Sequence, residues 1–210
     1  MRRFIKLAGI FNLIYAILFL IYWLLYGVFL PFKEIESSIL PLVSDPDWVW
    51  INSIGAFSPL FGLIGVTGLY YLQVNKNKFL GILGFILTIF GLAFGTAQLF
   101  WETYIWKIIS ETSPDLLDYS GPLYSNTVLF GVMVTGGIIF SLGYFFLGIA
   151  SRTIDTIPSF GLQMIILGAP LFGLAPLFGP IQQLIRIIGI LGFSAGLIVV
   201  GIWMIHIKSD

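Results

Sequence analysis

The stretch SDPDW at residues 44–48 sets two carboxylates, Asp45 and Asp47, two positions apart, a spacing from which oxygen ligands to a divalent cation could be drawn. A plainer account is at hand: Ser44 reads as the cap of a helix with Pro46 in its first turn, and the other acids lack the spacing of a calcium loop. The chain has no Cys and a single His, His206, which removes thiolate metal sites, disulfide scaffolds and most haem or zinc chemistry. No Ser, His and Asp set falls at one depth, and no Gly-rich phosphate loop precedes a helix. The sequence therefore reads as non-enzymatic, with no cofactor and no metal.

What remains are uncharged polar side chains inside apolar runs: Asn12, Ser58, Thr67, Thr88, Thr96, Gln98, Thr135, Ser141, Gln163 and Ser194. In lipid such groups bond to a neighbouring helix or to their own backbone. Asn12 and Gln98 are the hardest to satisfy that way, which makes them first choices for contacting a polar solute.

Proline adds a second set. The phrases SPLFGL at 58–63 and APLFGLAPLFGP at 169–180 place Pro59, Pro170 and Pro176 inside apolar segments, where each lacks an amide and releases the carbonyl four residues earlier, at Gly55, Ile166 and Phe172. Asn12, Gly55, Pro59, Gln98, Ile166, Pro170 and Phe172 together form the expected pocket, between the second and fifth membrane spans.

The elements that must carry these residues follow from composition. With 58% hydrophobic residues, 10% charged and a mean hydropathy of +1.01 over 210 residues, the chain is far less charged than a soluble domain, in which about a quarter of residues carry charge. The class expected is all-α, a polytopic membrane helical bundle forming one domain over 1–210. A bilayer core of about 30 Å needs roughly 20 apolar residues per helix. Six segments qualify: Phe4–Leu30, Trp48–Leu72, Phe79–Phe100, Thr127–Ala150, Ser159–Gly179 and Ile185–His206. The basic start and long first apolar run read as a retained helix rather than a cleaved leader.

Cations orient the bundle. With the N-terminus in the cytoplasm, Arg2, Arg3, Lys6, Lys76, Lys78, Arg152 and Lys208 lie inside, and only Lys33, Lys107 and Arg186 outside. Both termini are then cytoplasmic. Trp23, Trp48, Trp50, Trp101 and Trp106 gather at the outer interface, and Ser113, Pro114 and Asp115 mark a helix start in the outer linker 101–126. Glu102, Arg186 and His206 sit at helix ends, in reach of headgroups or water.

The halves 1–100 and 127–210 resemble each other in order: SPLFGL at 58 matches APLFGL at 169, and KFLGILGF at 78 matches RIIGILGF at 186. Three spans per half would make this a 3+3 inverted repeat, a plan many transporters use. The segments RRFIKLAGIFNLIY and LGYFFLGIASRTIDTIPSFGLQMIILG resemble small, uncharacterised multi-pass membrane proteins of bacteria and archaea. That resemblance implies a six-helix fold in a prokaryotic cytoplasmic membrane, and no activity.

The first function expected is a non-catalytic accessory or scaffold subunit of a membrane assembly. Its partners would be the bilayer and other membrane subunits or itself, through the Gly pairs 91/95 and 192/196 and the pair Gly137/Ser141, and not nucleic acid. The alternative is a small transporter or a lipid- or solute-binding protein with its site between the second and fifth helices.

Overall fold

The computed structural model describes residues 2–30, 38–123 and 126–207. The described residues fold predominantly as helix, and Ser38 paired with Asp118 is the isolated bridge among them. Five stretches are long and apolar enough to cross a bilayer: Arg2–Phe29, Trp48–Gln73, Lys78–Thr112, Val134–Ser151 and Ala175–Ile205. The long helices are α1 (Arg2–Phe29), α3 (Trp48–Gln73), α4 (Lys78–Phe100), α6 (Thr127–Ser151), α7 (Ser159–Gly173) and α8 (Gln182–Ile205). Short ones lie between them: α2 (Leu40–Ser44) and α5 (Trp106–Thr112), the latter joined to α4 by the π-helical turn Trp101–Ile105.

Each long helix packs on the next in the chain, and α8 returns to α1, so the six close into a ring. One end of the ring carries the linkers around 39–47 and 101–123, and the other carries the tight connections near 73–78 and 151–158. Small residues let the backbones approach. A Cβ placed on Gly91 would lie 2.5 Å from Phe140 Cα, and one on Gly196 would lie 2.7 Å from the Gly161 carbonyl oxygen. Gly84 meets Leu147 and Gly168 meets Phe193 as closely, backbone against Cβ position. Asn12 ties α1 to α8, its Nδ2 donating to the Leu197 carbonyl at 3.0 Å.

Three expectations change. The segment expected to cross from Ser159 to Gly179 stops as an α-helix at Gly173. At 15 residues and 1.5 Å per residue, α7 reaches only about 22 Å. Pro170 is accommodated near its end, but Pro176 and Pro180 cannot donate to a continuing ladder, so the chain tightens into the 3-10 segment Ala175–Ile181. Pro176 therefore opens a new helix rather than kinking an old one, and Gly179 (φ 52) takes a left-handed conformation that favours glycine.

In SDPDW, α2 ends at Ser44, and Asp45 Oδ1 accepts the Asp47 amide at 2.8 Å while Asp47 Oδ1 accepts Trp50 Nε1 at 2.6 Å. Pro46 lies in that connecting turn, not in the first turn of α3, and both carboxylates serve the turn. Of the glycine pairs, only one member of 91/95 makes a seam, as Gly95 has open space where its Cβ would stand. Ser113 does start a short 3-10 helix, Pro114–Leu117. Lys33, Glu34, Glu36, Lys208 and Asp210 lie outside the described residues.

Candidate functional site

A cavity of about 470 Å³ lies inside the ring, toward the end that carries the linkers. Its inner end is aromatic. Tyr15 and Phe19 of α1, Phe140 of α6 and Phe172 of α7 line it, with the Phe19 and Phe172 rings edge-to-face at 4.9 Å. Such contacts contribute about 0.5–1.5 kcal/mol beyond burial, which fixes these rings as a rigid floor. The walls are made of small residues, Gly55 and Pro59 on α3, Gly91 and Gly95 on α4, and Gly136 and Gly137 on α6. At Gly95 a Cβ would meet nothing within 4 Å, so the wall is open there.

Toward the linkers the lining turns polar. Gln98 and Glu102 stand one turn apart, with Gln98 Nε2 donating to Glu102 Oε1 at 2.7 Å. The Glu102 carbonyl accepts Trp48 Nε1 at 3.3 Å, and Trp48 stacks on Trp106, centroids 6.4 Å apart. Across the cavity, Arg186 near the start of α8 sets its guanidinium carbon 5.4 Å from the Trp23 ring centroid, a cation–π contact. Among the described residues the ion pair is Lys107 with Glu111, at 3.8 Å, so Arg186 has no carboxylate partner there. A smaller cavity of about 160 Å³ shares Gln98, Glu102 and Trp106 with the main one.

The structure distributes the expected pocket residues unevenly. Gly55, Pro59, Gln98 and Phe172 line the cavity together. Asn12, Ile166 and Pro170 do not. The Asn12 amide is engaged with Leu197, the Ile166 side chain packs where a Gly148 Cβ would stand, and Pro170 lies in the last turn of α7. The carbonyl that Pro59 releases at Gly55 accepts the Ser58 hydroxyl at 3.1 Å, which satisfies it within α3. Thr67, Thr88, Thr96 and Thr135 each bond the carbonyl four residues back, the local solution open to a hydroxyl in a helix.

Sequence reasoning passed over Arg186 and Glu102 as headgroup contacts, and passed over the α1 face. A signal for that face was present: Tyr15, Phe19, Tyr22, Trp23 and Tyr26 recur at three- and four-residue steps, one stripe of a helix, and all five line the cavity. Chemically the arrangement offers an apolar aromatic end, a polar end with one guanidinium and one carboxylate, and no group of three His, Asp or Glu among the described residues that could hold a metal. No family model, no curated protein and no solved structure matches this chain.

Proposed function

We propose that this chain is a non-catalytic membrane protein that binds a small, largely apolar molecule or lipid inside its helix ring and conducts it to or from the linker end. The observation that carries this reading is the 470 Å³ cavity inside the helix ring, within the roughly 300–1,000 Å³ of sites for drug-sized ligands. Six crossings, with the termini on the more basic, cytoplasmic side of a prokaryotic membrane, are part of the proposal. So is the inverted repeat. Pro59 and Pro170 are each the twelfth residue of their helix, and Gly81 of α4 faces Gln73 of α3 as its counterpart Gly189 of α8 faces Phe172 of α7.

The glycine faces that an accessory subunit would offer a partner are largely taken up by neighbouring helices of the same chain. The test is chemical. Organic extracts of protein purified from native membranes are compared by mass spectrometry with extracts of Gly95→Trp, which builds an indole into the cavity from a position with open space. A molecule retained by the wild type at near-stoichiometric amounts and lost from the variant is expected. Identical extracts from the two would end the binding reading and return the accessory subunit to first place.

A further inference from the structure

We propose that the ligand is an amphipathic anion, a single apolar chain bearing a carboxylate or phosphate, whose head is held by Arg186 and Trp23. This rests on the cavity-binding reading above and assigns its substrate class.

A guanidinium carries five N–H donors and cannot shed its charge. Arg186 is half-buried; its guanidinium lies over the Trp23 ring face, which offers no hydrogen-bond acceptor along the guanidinium edges, and the Tyr22 and Tyr26 phenols lie near enough to act on its charge. Among the described residues no carboxylate lies within salt-bridge distance of it. Trp23 itself has a buried Nε1–H without a partner among the described residues, and an orphaned buried donor is destabilising until something bonds to it. Both residues line the cavity. Its polar end therefore holds an orphaned indole N–H beside a cation that has no carboxylate partner among the described residues. Among the described lining residues the carboxylate is Glu102, which already accepts from Gln98 at 2.7 Å. An incoming group that brings acceptor oxygens and negative charge meets the deficit, and a cation does not.

The other end fixes the rest of the ligand. Tyr15, Phe19, Phe140 and Phe172 present ring faces and edges, a surface for methylenes. Arg186 lies in the second turn of α8, at the linker end of the ring, so a chain entering tail first leaves its head at the guanidinium. Bidentate pairing with carboxylate or phosphate oxygens is what a guanidinium does best.

The experiment uses the full chain in phosphatidylcholine nanodiscs and measures saturable binding of tritiated laurate, with unlabelled laurate, lauryl phosphate, lauryl alcohol and dodecylamine as competitors. The expected result is that laurate and lauryl phosphate compete at least about tenfold better than the alcohol or the amine, the ratio that one charge-assisted hydrogen bond supplies. Arg186→Gln should erase that preference, Arg186→Lys should keep part of it, and Trp23→Phe should weaken laurate several-fold while keeping the ring. Repeating the measurement in phosphatidylglycerol discs separates two sources of the anionic head: retained binding supports a free single-chain anion, and lost binding, the mark of a two-chain anionic bilayer lipid in the site, overturns the single-chain assignment while keeping the anion site. Equal competition by laurate and lauryl alcohol, or preference for dodecylamine, would overturn the anion site while leaving the cavity reading intact. No saturable binding of any competitor would overturn both. Because the competitor series runs on wild-type protein, the outcome stands even if a variant fails to fold.

Discussion

Gly91 and Gly95 lie one turn apart on α4, yet the structure gives them opposite roles, and alanine at each separates those roles. A methyl group on Gly91 would stand 2.5 Å from Phe140 Cα and 2.7 Å from its amide nitrogen. These are backbone atoms of α6, which cannot rotate away, so α4 and α6 must part. Overpacking of this kind typically costs about 1–3 kcal/mol. A methyl on Gly95 meets nothing within 4 Å. The gain from replacing glycine by alanine inside a helix, about 1 kcal/mol, applies to both variants and cancels in their comparison. Gly95→Ala is therefore expected to be at least as stable as wild type, and Gly91→Ala lower than Gly95→Ala by about 1–3 kcal/mol. At roughly 2–4 °C per kcal/mol for a chain of this size, the two midpoints should differ by several degrees in a thermal melt of purified protein in mild detergent. Equal melting temperatures, or a more stable Gly91→Ala, would mean that α4 and α6 do not touch at Phe140, and the cavity wall built on that seam would have to be redrawn.

Two further outcomes test how the polar groups are satisfied. Ser58→Ala should cost about 1 kcal/mol by uncovering the Gly55 carbonyl that Pro59 leaves free, and the loss should shrink toward zero in a Pro59→Ala background, where position 59 regains an amide; a four-variant unfolding cycle without coupling would refute it. Tyr22→Phe removes the donor that reaches Asn52 Oδ1 at 3.1 Å inside the bundle and should destabilise by about 0.5–1.5 kcal/mol, while Phe at 22 in an Asn52→Ala background should be near neutral. A neutral single variant would show that the pair contributes nothing.

Much of the fold was legible because hydrophobic length and punctuation are local properties. The ends of α1, α3, α4, α6 and α8 fall within a few residues of where apolar runs meet QVNKNK, SRTIDTIP and the linkers. The fate of α7 was not, although its prolines were conspicuous. Counting twenty residues from Ser159 assumes that a helix continues through Pro176, whereas a proline in the first turn of a new helix sacrifices no bond, and Pro176 is the second residue of the 3-10 segment. Pro59 was read correctly as releasing the Gly55 carbonyl, but which group would accept the task was open, and Ser58, the residue beside it, does so. Asn12 stood out for the right physical reason, an amide that cannot satisfy itself; whether such a group faces a solute or the Leu197 carbonyl is a matter of which helix lies opposite, and spacing along one chain does not contain that.

The cavity itself follows from a single stripe on α4. Gly84, Thr88, Gly91, Gly95, Gln98 and Glu102 recur at alternating steps of four and three, one continuous face of a helix. Along that face the antiparallel register with α6 sets Gly84 against Leu147, Thr88 against Gly143 and Gly91 against Phe140, in each case with glycine on one side and a larger residue on the other. One step further the contact is lost: nothing approaches the Gly95 Cβ position, and that of Gly136 on α6 meets only Phe94, at 3.6 Å from its Cβ. From that point the stripe becomes Gln98 and Glu102 and lines open space. The same three- and four-residue spacing thus writes a tight seam where the two backbones approach, and lines open space where they part. A side chain placed at that level, by Gly136→Leu alone, should close the cavity from the α6 side and abolish laurate binding without touching Arg186 or Trp23. Retained binding in a folded Gly136→Leu protein would show that the open level between Gly95 and Gly136 is not where the ligand lies.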